Sequence, residues 1–173
     1  KQAKQQDLPP ILAGRNASPI NKLAKELNLE ARVFDLANSE VVEQQLKDVD
    51  VVLHCAGPFS RTAQPMIEAC LASNTHYLDI TGEIAVFELA KSYDKLAKEN
   101  NIVLCPGVGF DVIPTDCLAS QLKQLMPDAT HLALGFDSKS DFSPGTAKTS
   151  VEGLSQGGRI RKNGEIIKVP LAF

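Results

Sequence analysis

Short apolar runs alternate with helical patterns from residue 10 to residue 125, and this alternation limits the fold more than any other feature of the chain. In each helical pattern the apolar residues recur at the spacing of one helix face. The predicted strands are residues 10–13, 31–34, 50–55, 76–79 and 102–105. The predicted helices are residues 18–27, 39–47, 65–71, 86–100 and 114–125. Strands that alternate with helices form parallel sheets through right-handed crossovers. The sequence therefore predicts an α/β fold with a doubly wound parallel sheet.

Local patterns indicate several boundaries. Ser18 followed by Pro19 is typical of a helix start, because proline in the first turn lacks only an N–H that has no partner there. Pro65 is interpreted in the same way, as the first residue of the third helix. The run in residues 50–55 is continuous and apolar, as expected of a strand that is buried on both faces. Residues 86–100 form the longest predicted helix.

The pattern changes after residue 129, where the alternation ends. A strand in residues 131–136 and a helix in residues 146–154 are expected on either side of a polar loop. Residues 159–169 are typical of a β-hairpin in which Asn163-Gly164 supplies a type I′ turn. Because a lone hairpin is marginally stable in water, we expect it to belong to a larger domain.

Two domains are predicted from this change. We expect residues 1–129 to form a Rossmann-type dinucleotide-binding domain and residues 130–173 to be the beginning of a second, α+β domain. A Rossmann domain opens with a strand, a glycine loop and a helix that carry the motif G-x-G-x-x-G. No such motif precedes Ile11. We therefore expect the first strand and the glycine loop to lie outside this chain, and the chain alone to bind a dinucleotide poorly and to be inactive.

Composition and charge narrow the classes of function. The net charge of −3 gives no basic surface for nucleic acid. No apolar run approaches the roughly 20 residues of a membrane span, and residues 1–6 lack the apolar stretch of a signal peptide. The histidines, His54 among them, lack metal-ligand spacing and are expected in the core or at a strand edge, so no metal site is predicted. The four cysteines form no C-x-x-C pair and are predicted to be buried and reduced, which favours a cytoplasmic protein.

The residues that follow each strand are the candidate ligand contacts, because open α/β sheets bind ligands beyond the carboxyl ends of their strands. Gly14, Arg15 and Asn16 follow the first predicted strand. A guanidinium and an amide suit the 2′-phosphate of NADP, where an NAD-selective protein usually places an acidic residue. The alternative is an exposed arginine beside a helix cap. Asp35 follows the second strand and is interpreted either as an acceptor for the adenine amino group or as a cap of the next helix.

The loop after the third predicted strand contains Ala56, Gly57, Pro58 and Phe59. Glycine lets a ligand approach the backbone closely, and the ring of Phe59 would offer a surface to the nicotinamide ribose. A sharp turn between a strand and a helix would use the same residues. We therefore interpret these four residues as candidate dinucleotide contacts, with the turn as the alternative.

Acidic residues follow the fourth and fifth predicted strands. Asp79 and Glu83 lie on either side of a hydroxyl and a glycine, and two carboxylates in one cleft can divide acid and base roles. The alternative is structural, with Asp79 fixing the loop and Glu83 capping the long helix. After the fifth strand, Gly107 belongs to a tight turn that would bring Asp111 over the cofactor. Asp79, Glu83 and Asp111 are therefore the candidate catalytic residues, and Gly107 is a further candidate cofactor contact.

Five blocks of sequence point to a known family. They are Ala13-Gly14-Arg15-Asn16, Cys55-Ala56-Gly57-Pro58-Phe59, His76-Tyr77-Leu78-Asp79-Ile80-Thr81-Gly82-Glu83, Gly109-Phe110-Asp111-Val112-Ile113-Pro114-Thr115-Asp116, and Gly145-Thr146-Ala147 with Ser150. In these blocks the chain resembles the saccharopine dehydrogenase-like oxidoreductases, and more the branch with the trans-acting enoyl reductases than saccharopine dehydrogenase itself. The resemblance implies an NADP(H)-binding domain and a small-molecule substrate. It also implies a second domain that carries the substrate surface and the surface of a homodimer.

Two functions are compatible with these residues. The first is an NADP(H)-dependent oxidoreductase that transfers hydride to or from a small carbonyl, imine or enoyl substrate, with the cofactor supplying the hydride chemistry. The second is a non-catalytic NADP-sensing or scaffold protein, because a fold does not determine a function. The chain also lacks the Tyr-x-x-x-Lys proton donor of short-chain dehydrogenases. Of the two, we expect the enzyme.

Overall fold

The computed structural model describes residues 2–133 and 157–170, together with residues 147, 151, 153 and 154. The chain forms two compact units, residues 1–132 and residues 133–173. The helices of the described residues are α1 (Gln2–Gln5), α2 (Ala17–Leu27), α3 (Ser39–Leu46), α4 (Phe59–Ser73), α5 (Ile84–Ser92), α6 (Asp94–Glu99) and α7 (Ile113–Leu125). The strands are β1 (Leu12–Gly14), β2 (Ala31–Val33), β3 (Val51–His54), β4 (His76–Asp79), β5 (Leu104–Cys105), β6 (Gly158–Lys162) and β7 (Glu165–Val169). All of them except β6 and β7 belong to the first unit.

Parallel pairing of the strands confirms the predicted fold class. Strand β1 pairs in parallel with β2, and β4 lies between β3 and β5 in a second parallel ladder. The β3–β4 register sets His54 opposite Asp79, so that both residues end their strands at the same edge. Helices connect these parallel strands, as in an α/β fold of the Rossmann type.

The core lies on one face of the β3–β4–β5 ladder. Tyr77 on β4 is fully buried in the same cluster as Val42 of α3 and Ile67 of α4. Side chains two residues apart on a strand share a face, so Asp79 points to the same side as Tyr77. Val52 on β3 packs against this cluster. Burying a large apolar side chain contributes about 1.5–3 kcal/mol, so this face stabilises the first unit.

The opposite face of β3 is open, so the prediction that this strand is buried on both faces is wrong. Val51 and Leu53 are 49% and 56% exposed, whereas Val52 packs against the core and His54 is buried. Alternate side chains of a strand point to opposite sides of the sheet. The run is apolar on both sides, but within the described residues only one side is covered.

Helix α4 begins at Phe59 and not at Pro65, so the predicted start was wrong. Pro65 lies inside the helix, where it removes one backbone hydrogen bond at a cost of about 3 kcal/mol. A buried face that continues on both sides of the proline offsets this cost. Its buried residues are Ala63, Met66, Ile67, Ala69 and Cys70.

The predicted long helix of residues 86–100 is divided in two. Helix α5 ends at Ser92, α6 begins at Asp94, and Tyr93 between them has a non-helical ψ of 2°. The hydroxyl of Tyr93 donates a hydrogen bond to Glu68 of α4 at 2.7 Å. A contact between helices thus holds the break, and periodicity within one segment does not reveal it.

Helix α2 begins one residue before the predicted Ser18–Pro19 start, at Ala17. Asn16 already has the extended backbone of an N-cap, with φ −94° and ψ 107°. The helix ends at Leu27, and its C-cap Asn28, with a left-handed φ of 52°, donates its backbone N–H to the carbonyls of Ala24 and Lys25.

The second unit contains the predicted hairpin. Strands β6 and β7 pair antiparallel with Ile160 opposite Ile167. Asn163 and Gly164 have φ values of 52° and 85°. A type I′ turn requires positive φ at both of its central residues, so the hairpin prediction is confirmed.

Other predictions for the second unit are only partly covered by the structure. Residues 131–133 form no strand, and the remainder of the predicted strand of residues 131–136 lies outside the described residues. The same holds for the polar loop of residues 137–145 and for most of the predicted helix of residues 146–154. The assignment of dinucleotide binding to residues 1–129 and of a second domain to residues 130–173 stays a prediction.

The cysteines correct a further prediction. All four are free, but only Cys70 is buried, while Cys55, Cys105 and Cys117 are exposed. Cys105 ends a strand, and Cys117 lies on α7, which has no buried residues. Burial raises the pKa of the Cys70 thiol to about 12. The expectation of buried thiols therefore holds for Cys70 alone.

Candidate functional site

Three loops lie side by side at the carboxyl edge of the β3–β4–β5 ladder. They are residues 55–58, residues 80–83 and residues 106–112. Together with the strand ends they carry the three candidate catalytic carboxylates. Hydrogen bonds and close contacts join neighbouring loops, so residues that are far apart in the sequence meet here.

Asp79, at the end of β4, is completely buried. Its Oδ1 accepts hydrogen bonds from the backbone N–H groups of Thr81 at 2.9 Å and Gly107 at 2.8 Å. Its Oδ2 accepts one from the hydroxyl of Tyr77 at 2.6 Å, and its backbone carbonyl accepts one from the N–H of Val108 at 2.7 Å. Asp79 therefore fixes two loops, which favours the structural alternative. Its acid–base role stays a prediction.

Tyr77 is a member of this cluster that the sequence reasoning missed. Burial raises the pKa of its hydroxyl, and the hydrogen bond to Asp79 raises it further. The phenol therefore stays protonated and donates to the carboxylate. A Tyr-x-Asp spacing on a strand places both side chains on one face, and this signal could have identified the pair.

Glu83 closes the first turn of helix α4. Its side-chain Oε1 accepts a hydrogen bond from the backbone N–H of Phe59 at 3.1 Å. Pro58, the N-cap of α4, supplies no side-chain acceptor, and a carboxylate is favourable at the positive end of a helix. Glu83 is also the N-cap residue of α5, but its side chain forms no cap bond there. The capping alternative thus applies to α4 and not to the helix that follows Glu83.

Asp111 differs from the other two carboxylates because it is exposed. Within the part of the chain that the structure describes, its carboxylate accepts no hydrogen bond and forms no ion pair. A Cβ added to Gly82 would lie 2.8 Å from its Oδ2, and one added to Gly109 would lie 3.3 Å from its Oδ1. The two glycines therefore leave room for the Asp111 carboxylate beside the loop that contains Glu83.

Gly107 is buried, and its backbone has a left-handed φ of 76°. A Cβ at this position would overlap the ring of Phe87 on α5. Its N–H already donates to Asp79. Both observations favour a structural role for Gly107, and the predicted contact with the cofactor stays untested.

The loop of residues 55–58 is held from α4 and open to solvent. The hydroxyl of Thr62 donates to the carbonyl of Ala56 at 2.6 Å. Gly57 is exposed, and the nearest atoms that an added Cβ would meet belong to Phe59, with its ring 3.7 Å away, so the Cα of this glycine is accessible to a ligand. Pro58 and Phe59 are half-buried, and the Gly57–Pro58 peptide is cis.

His54 lies beneath this loop and is 4% exposed, as expected of a core histidine. Its ring meets that of Phe59 edge-on, with centroids 5.5 Å apart. Its Nε2 is buried and has no hydrogen-bond partner among the residues that the structure describes. Burial lowers the pKa of His54 to about 4, although the nearby charge of Asp79 opposes this shift. The imidazole is therefore neutral near pH 7.

Gly14 ends β1 against helix α2. A Cβ on Gly14 would lie 2.9 Å from Cδ1 of Ile20, so the glycine lets the helix pack closely. Arg15 and Asn16 follow as exposed residues. Among the described residues Arg15 has no hydrogen-bond or ion-pair partner, and the side chain of Asn16 makes no cap bond. A guanidinium and an amide are thus available to an anion.

Asp35 shapes the turn after β2. Its Oδ1 accepts a hydrogen bond from the backbone N–H of Ala37 at 3.0 Å. The N-cap of α3 is Asn38, whose side chain accepts from Val41 at 3.2 Å. Asp35 is therefore not the cap of the next helix, and its predicted contact with adenine stays a prediction.

The exposed groups fit a phosphate-bearing nucleotide better than a metal. No group of three or more His, Cys, Asp or Glu side chains in the described ranges could hold a metal ion. The cation of Arg15 and the open backbone at Gly57 suit a ligand that carries phosphates along a chain. As a separate finding, none of the helices in those ranges is long and apolar enough to cross a membrane.

Sequence comparison identifies related proteins. A family model of the saccharopine dehydrogenase NADP binding domain matches residues 1–105. A human saccharopine dehydrogenase-like oxidoreductase is 28% identical over 121 residues, which cover 63% of this chain and 28% of the relative. A putative trans-acting enoyl reductase of Mycobacterium tuberculosis is 25% identical over 158 residues, which cover 83% of this chain and 37% of the relative. The chain thus spans less than half of either relative.

A solved structure has the same fold. Apo histidine-tagged saccharopine dehydrogenase (L-Glu forming) from Saccharomyces cerevisiae matches 92% of this chain and 38% of its own chain, with a TM-score of 0.62. The two are 14% identical, so this likeness concerns the fold alone. It supports the α/β architecture with parallel strands.

The predicted cytoplasmic localisation is contradicted by two relatives. A Caenorhabditis elegans protein named lipid droplet localized protein is 26% identical over 160 residues. An Arabidopsis thaliana protein named probable mitochondrial saccharopine dehydrogenase-like oxidoreductase is 26% identical over 170 residues. The prediction also depended on buried thiols, and three of the four cysteines are exposed.

The family that was inferred from the sequence blocks is confirmed by these matches. The matched domain binds NADP, so NADP is the cofactor, and the relatives are oxidoreductases. The match to residues 1–105 covers more than half of the 173 residues. The chain belongs to the family of the saccharopine dehydrogenase NADP-binding domain.

Proposed function

We propose that the full-length protein transfers hydride between NADP(H) and a small carbonyl, imine or enoyl substrate. The family supplies the cofactor and the general class of oxidoreductase. The substrate and the direction of transfer are our proposal, because the chain covers only 28% of the human relative and 40% of a mouse relative. A homodimer formed through the second domain stays a prediction.

The observation that carries the proposal is the exposed guanidinium of Arg15 at the end of β1, which has no partner among the residues that the structure describes. Ligands of open α/β sheets bind beyond the carboxyl ends of the strands, which is where Arg15 lies. A charge-assisted hydrogen bond from arginine to phosphate is among the strongest in proteins. Arg15 and Asn16 would therefore bind the 2′-phosphate that distinguishes NADP from NAD.

The loop of residues 56–59 would line the path of the dinucleotide. The Cα of Gly57 is open, so a ligand can approach its backbone. Thr62 holds the loop from α4 through Ala56, which keeps this surface in place before a ligand arrives. NADP(H) supplies the hydride chemistry when bound, and the protein's residues orient the reactants.

A carboxylate would polarise or protonate the substrate group that accepts hydride. Asp79, Glu83 and Asp111 are the candidates at this edge of the ladder. Asp79 is buried and Glu83 is engaged at the start of α4. The contacts favour Asp111, because its exposed carboxylate has no partner within the described ranges and is therefore available to a ligand.

The second candidate function is a non-catalytic NADP-sensing or scaffold protein. One observation favours it: two of the three candidate carboxylates have structural hydrogen bonds. Such a protein would bind NADPH through the same residues but would leave it unoxidised. Binding and turnover therefore separate the two candidates.

The test is oxidation of NADPH by the full-length protein in the presence of a panel of small carbonyl, imine and enoyl compounds, followed by nicotinamide absorbance. We expect turnover of at least one class, and a loss of about a hundredfold in Asp111→Asn, within the range of one positioned acid. The control is Asp116→Asn, an exposed carboxylate of the first turn of α7. Tight NADPH binding without turnover of any class would favour the sensing protein.

A further inference from the structure

We infer that Asp79 is a positioning residue, which acts with Tyr77 to hold the loop after β5 and thereby keeps Asp111 at the rim of the site. The inference deepens the proposed function and rests on it, because Asp111 has a catalytic task only if the protein turns over a substrate. It assigns different roles to two carboxylates that the sequence pattern treats alike.

Burial excludes Asp79 from direct contact with a substrate. Its side chain is fully buried, and both carboxylate oxygens already accept hydrogen bonds. Asp111 lies two loops away in the sequence but is exposed and accepts none among the described residues. A side chain without solvent access affects a substrate only through the residues that it binds. Asp79 binds backbone N–H groups of the two loops that follow β4 and β5.

The bonds of Asp79 locate the start of the loop that carries Asp111. The N–H of Gly107 binds the Asp79 side chain and the N–H of Val108 binds its backbone carbonyl. Two successive residues of one loop are thus fixed to one residue of β4. The left-handed backbone of Gly107 then turns the chain toward Gly109.

Contacts farther along carry this placement to Asp111. A Cβ on Gly109 would lie 3.0 Å from Cβ of Ile80, so the two loops are packed backbone to side chain at this point. The carboxylate of Asp111 then lies against Gly82. Asp79 is therefore connected to Asp111 by hydrogen bonds at Gly107 and Val108 and by close packing at Gly109 and Gly82.

Tyr77 determines how the Asp79 carboxylate is oriented. Its hydroxyl binds Oδ2, which leaves Oδ1 to the N–H groups of Thr81 and Gly107. Without that hydroxyl, the buried Oδ2 of Asp79 would have no hydrogen-bond donor. We expect the carboxylate to rotate in response and to weaken its bonds to the two amides. Tyr77→Phe should thus loosen the loop after β5 without altering any group at the rim.

The kinetic test compares Tyr77→Phe, Asp79→Asn and Asp111→Asn in the full-length protein, at a temperature where each variant is folded. We expect the first two to lower kcat about tenfold to a hundredfold, since misplacement of a reacting group by about 1 Å costs that much, with the dissociation constant for NADPH within about threefold. The limb of the pH–rate profile that reports the catalytic acid should persist in Tyr77→Phe and Asp79→Asn and vanish in Asp111→Asn. A limb lost in Asp79→Asn but kept in Asp111→Asn would overturn the inference.

A second measurement tests the placement without any turnover, so that failure of the proposed function is told apart from failure of this inference. Hydrogen exchange of the backbone amides of Gly107 and Val108 should be at least tenfold faster in Tyr77→Phe than in the wild type. The matched control Asp116→Asn should leave both amides unchanged. Unchanged exchange in Tyr77→Phe would overturn the inference even if the enzyme is active. If exchange is faster in Tyr77→Phe but the wild type turns over no substrate, only the proposed function is contradicted.

Discussion

The carboxylate of Glu83 accepts a hydrogen bond from the backbone N–H of Phe59 at 3.1 Å, so a residue at the start of α5 closes the first turn of α4. The two residues belong to loops that follow neighbouring strands, β3 and β4. Their contact ties together a loop proposed to line the dinucleotide and a loop that flanks Asp111. A side chain that the sequence suggested for catalysis thus joins two parts of the site.

Removing this contact should destabilise the first unit. Glu83→Ala leaves the N-terminus of α4 without its acceptor, and the loss of such a cap costs about 1 kcal/mol. Glu83→Gln keeps an oxygen acceptor but loses the charge, so it should cost less. Urea unfolding measures both against Glu88→Ala, an exposed glutamate of α5. Equal midpoints for Glu83→Ala and Glu88→Ala would exclude the cap.

Gly107→Ala should be much more harmful than an ordinary glycine substitution. The alanine would have to adopt a left-handed backbone, and its Cβ would overlap the ring of Phe87. Strain of this kind costs about 1–3 kcal/mol, and overpacking adds about 1–3 kcal/mol. Gly164→Ala is the matched control, because Gly164 has φ 85° but nothing within 4 Å of an added Cβ. Thermal unfolding that shows equal losses for the two variants would contradict the packing of Phe87 on Gly107.

His54 should make the first unit less stable as the pH falls from 6.5 toward 4. Its pKa is lowered from 6.5 to about 4 by burial, so in this interval the unfolded chain takes up a proton that the folded chain does not. Stability is therefore fully present above pH 6.5 and is lost as the pH falls, by up to about 3 kcal/mol for a shift of this size. Denaturant midpoints measured across this interval give the loss directly.

The variant His54→Leu isolates this effect. It removes the titrating group and the buried Nε2 that lacks a partner in the described part of the chain, so stability between pH 4 and 6.5 should depend less on pH. Stability at pH 7 should be equal or higher, because an unsatisfied polar atom is replaced by an apolar one. The control variant is His131→Gln, which removes an exposed histidine. An unchanged slope in His54→Leu would show that other groups cause it.

Arg15→Ala should weaken NADPH binding about tenfold to a hundredfold and leave NADH binding nearly unchanged. The reason is the loss of one charge-assisted hydrogen bond to the 2′-phosphate, worth about 1.5–3 kcal/mol. Calorimetric titration of the full-length protein measures both dissociation constants. Lys22→Ala, which removes an exposed cation of α2, is the control for general charge. Equal weakening of both cofactors would exclude the 2′-phosphate contact.

Much of the fold could be predicted because its signals are local. The strand in residues 50–55 is recognised from its apolar run, and the Asn163-Gly164 turn is recognised from residue types that tolerate positive φ. The errors have causes outside the segment concerned. Pro65 lies within a helix because the buried face of α4 outweighs a local preference, and the break at Tyr93 is held by Glu68 of another helix.

The candidate site shows the same division. That the acidic residues lie together followed from the parallel fold, since the carboxyl ends of neighbouring strands meet. Their separate roles did not follow, because these depend on partners far away in the sequence. Gly107 binds Asp79 across 28 residues, and Phe59 binds Glu83 across 24. Only burial and hydrogen bonds in the folded chain distinguish Asp79 from Asp111.

The central claim is that this family member uses NADP(H) as a redox cofactor, and calorimetric titration of the full-length protein with NADPH and then with NADH tests it most directly. We expect tight binding of NADPH and binding of NADH that is at least tenfold weaker. We also expect bound NADPH to be oxidised when a small carbonyl, imine or enoyl compound is added. Failure to bind either nucleotide would contradict the proposed redox function and leave only the fold.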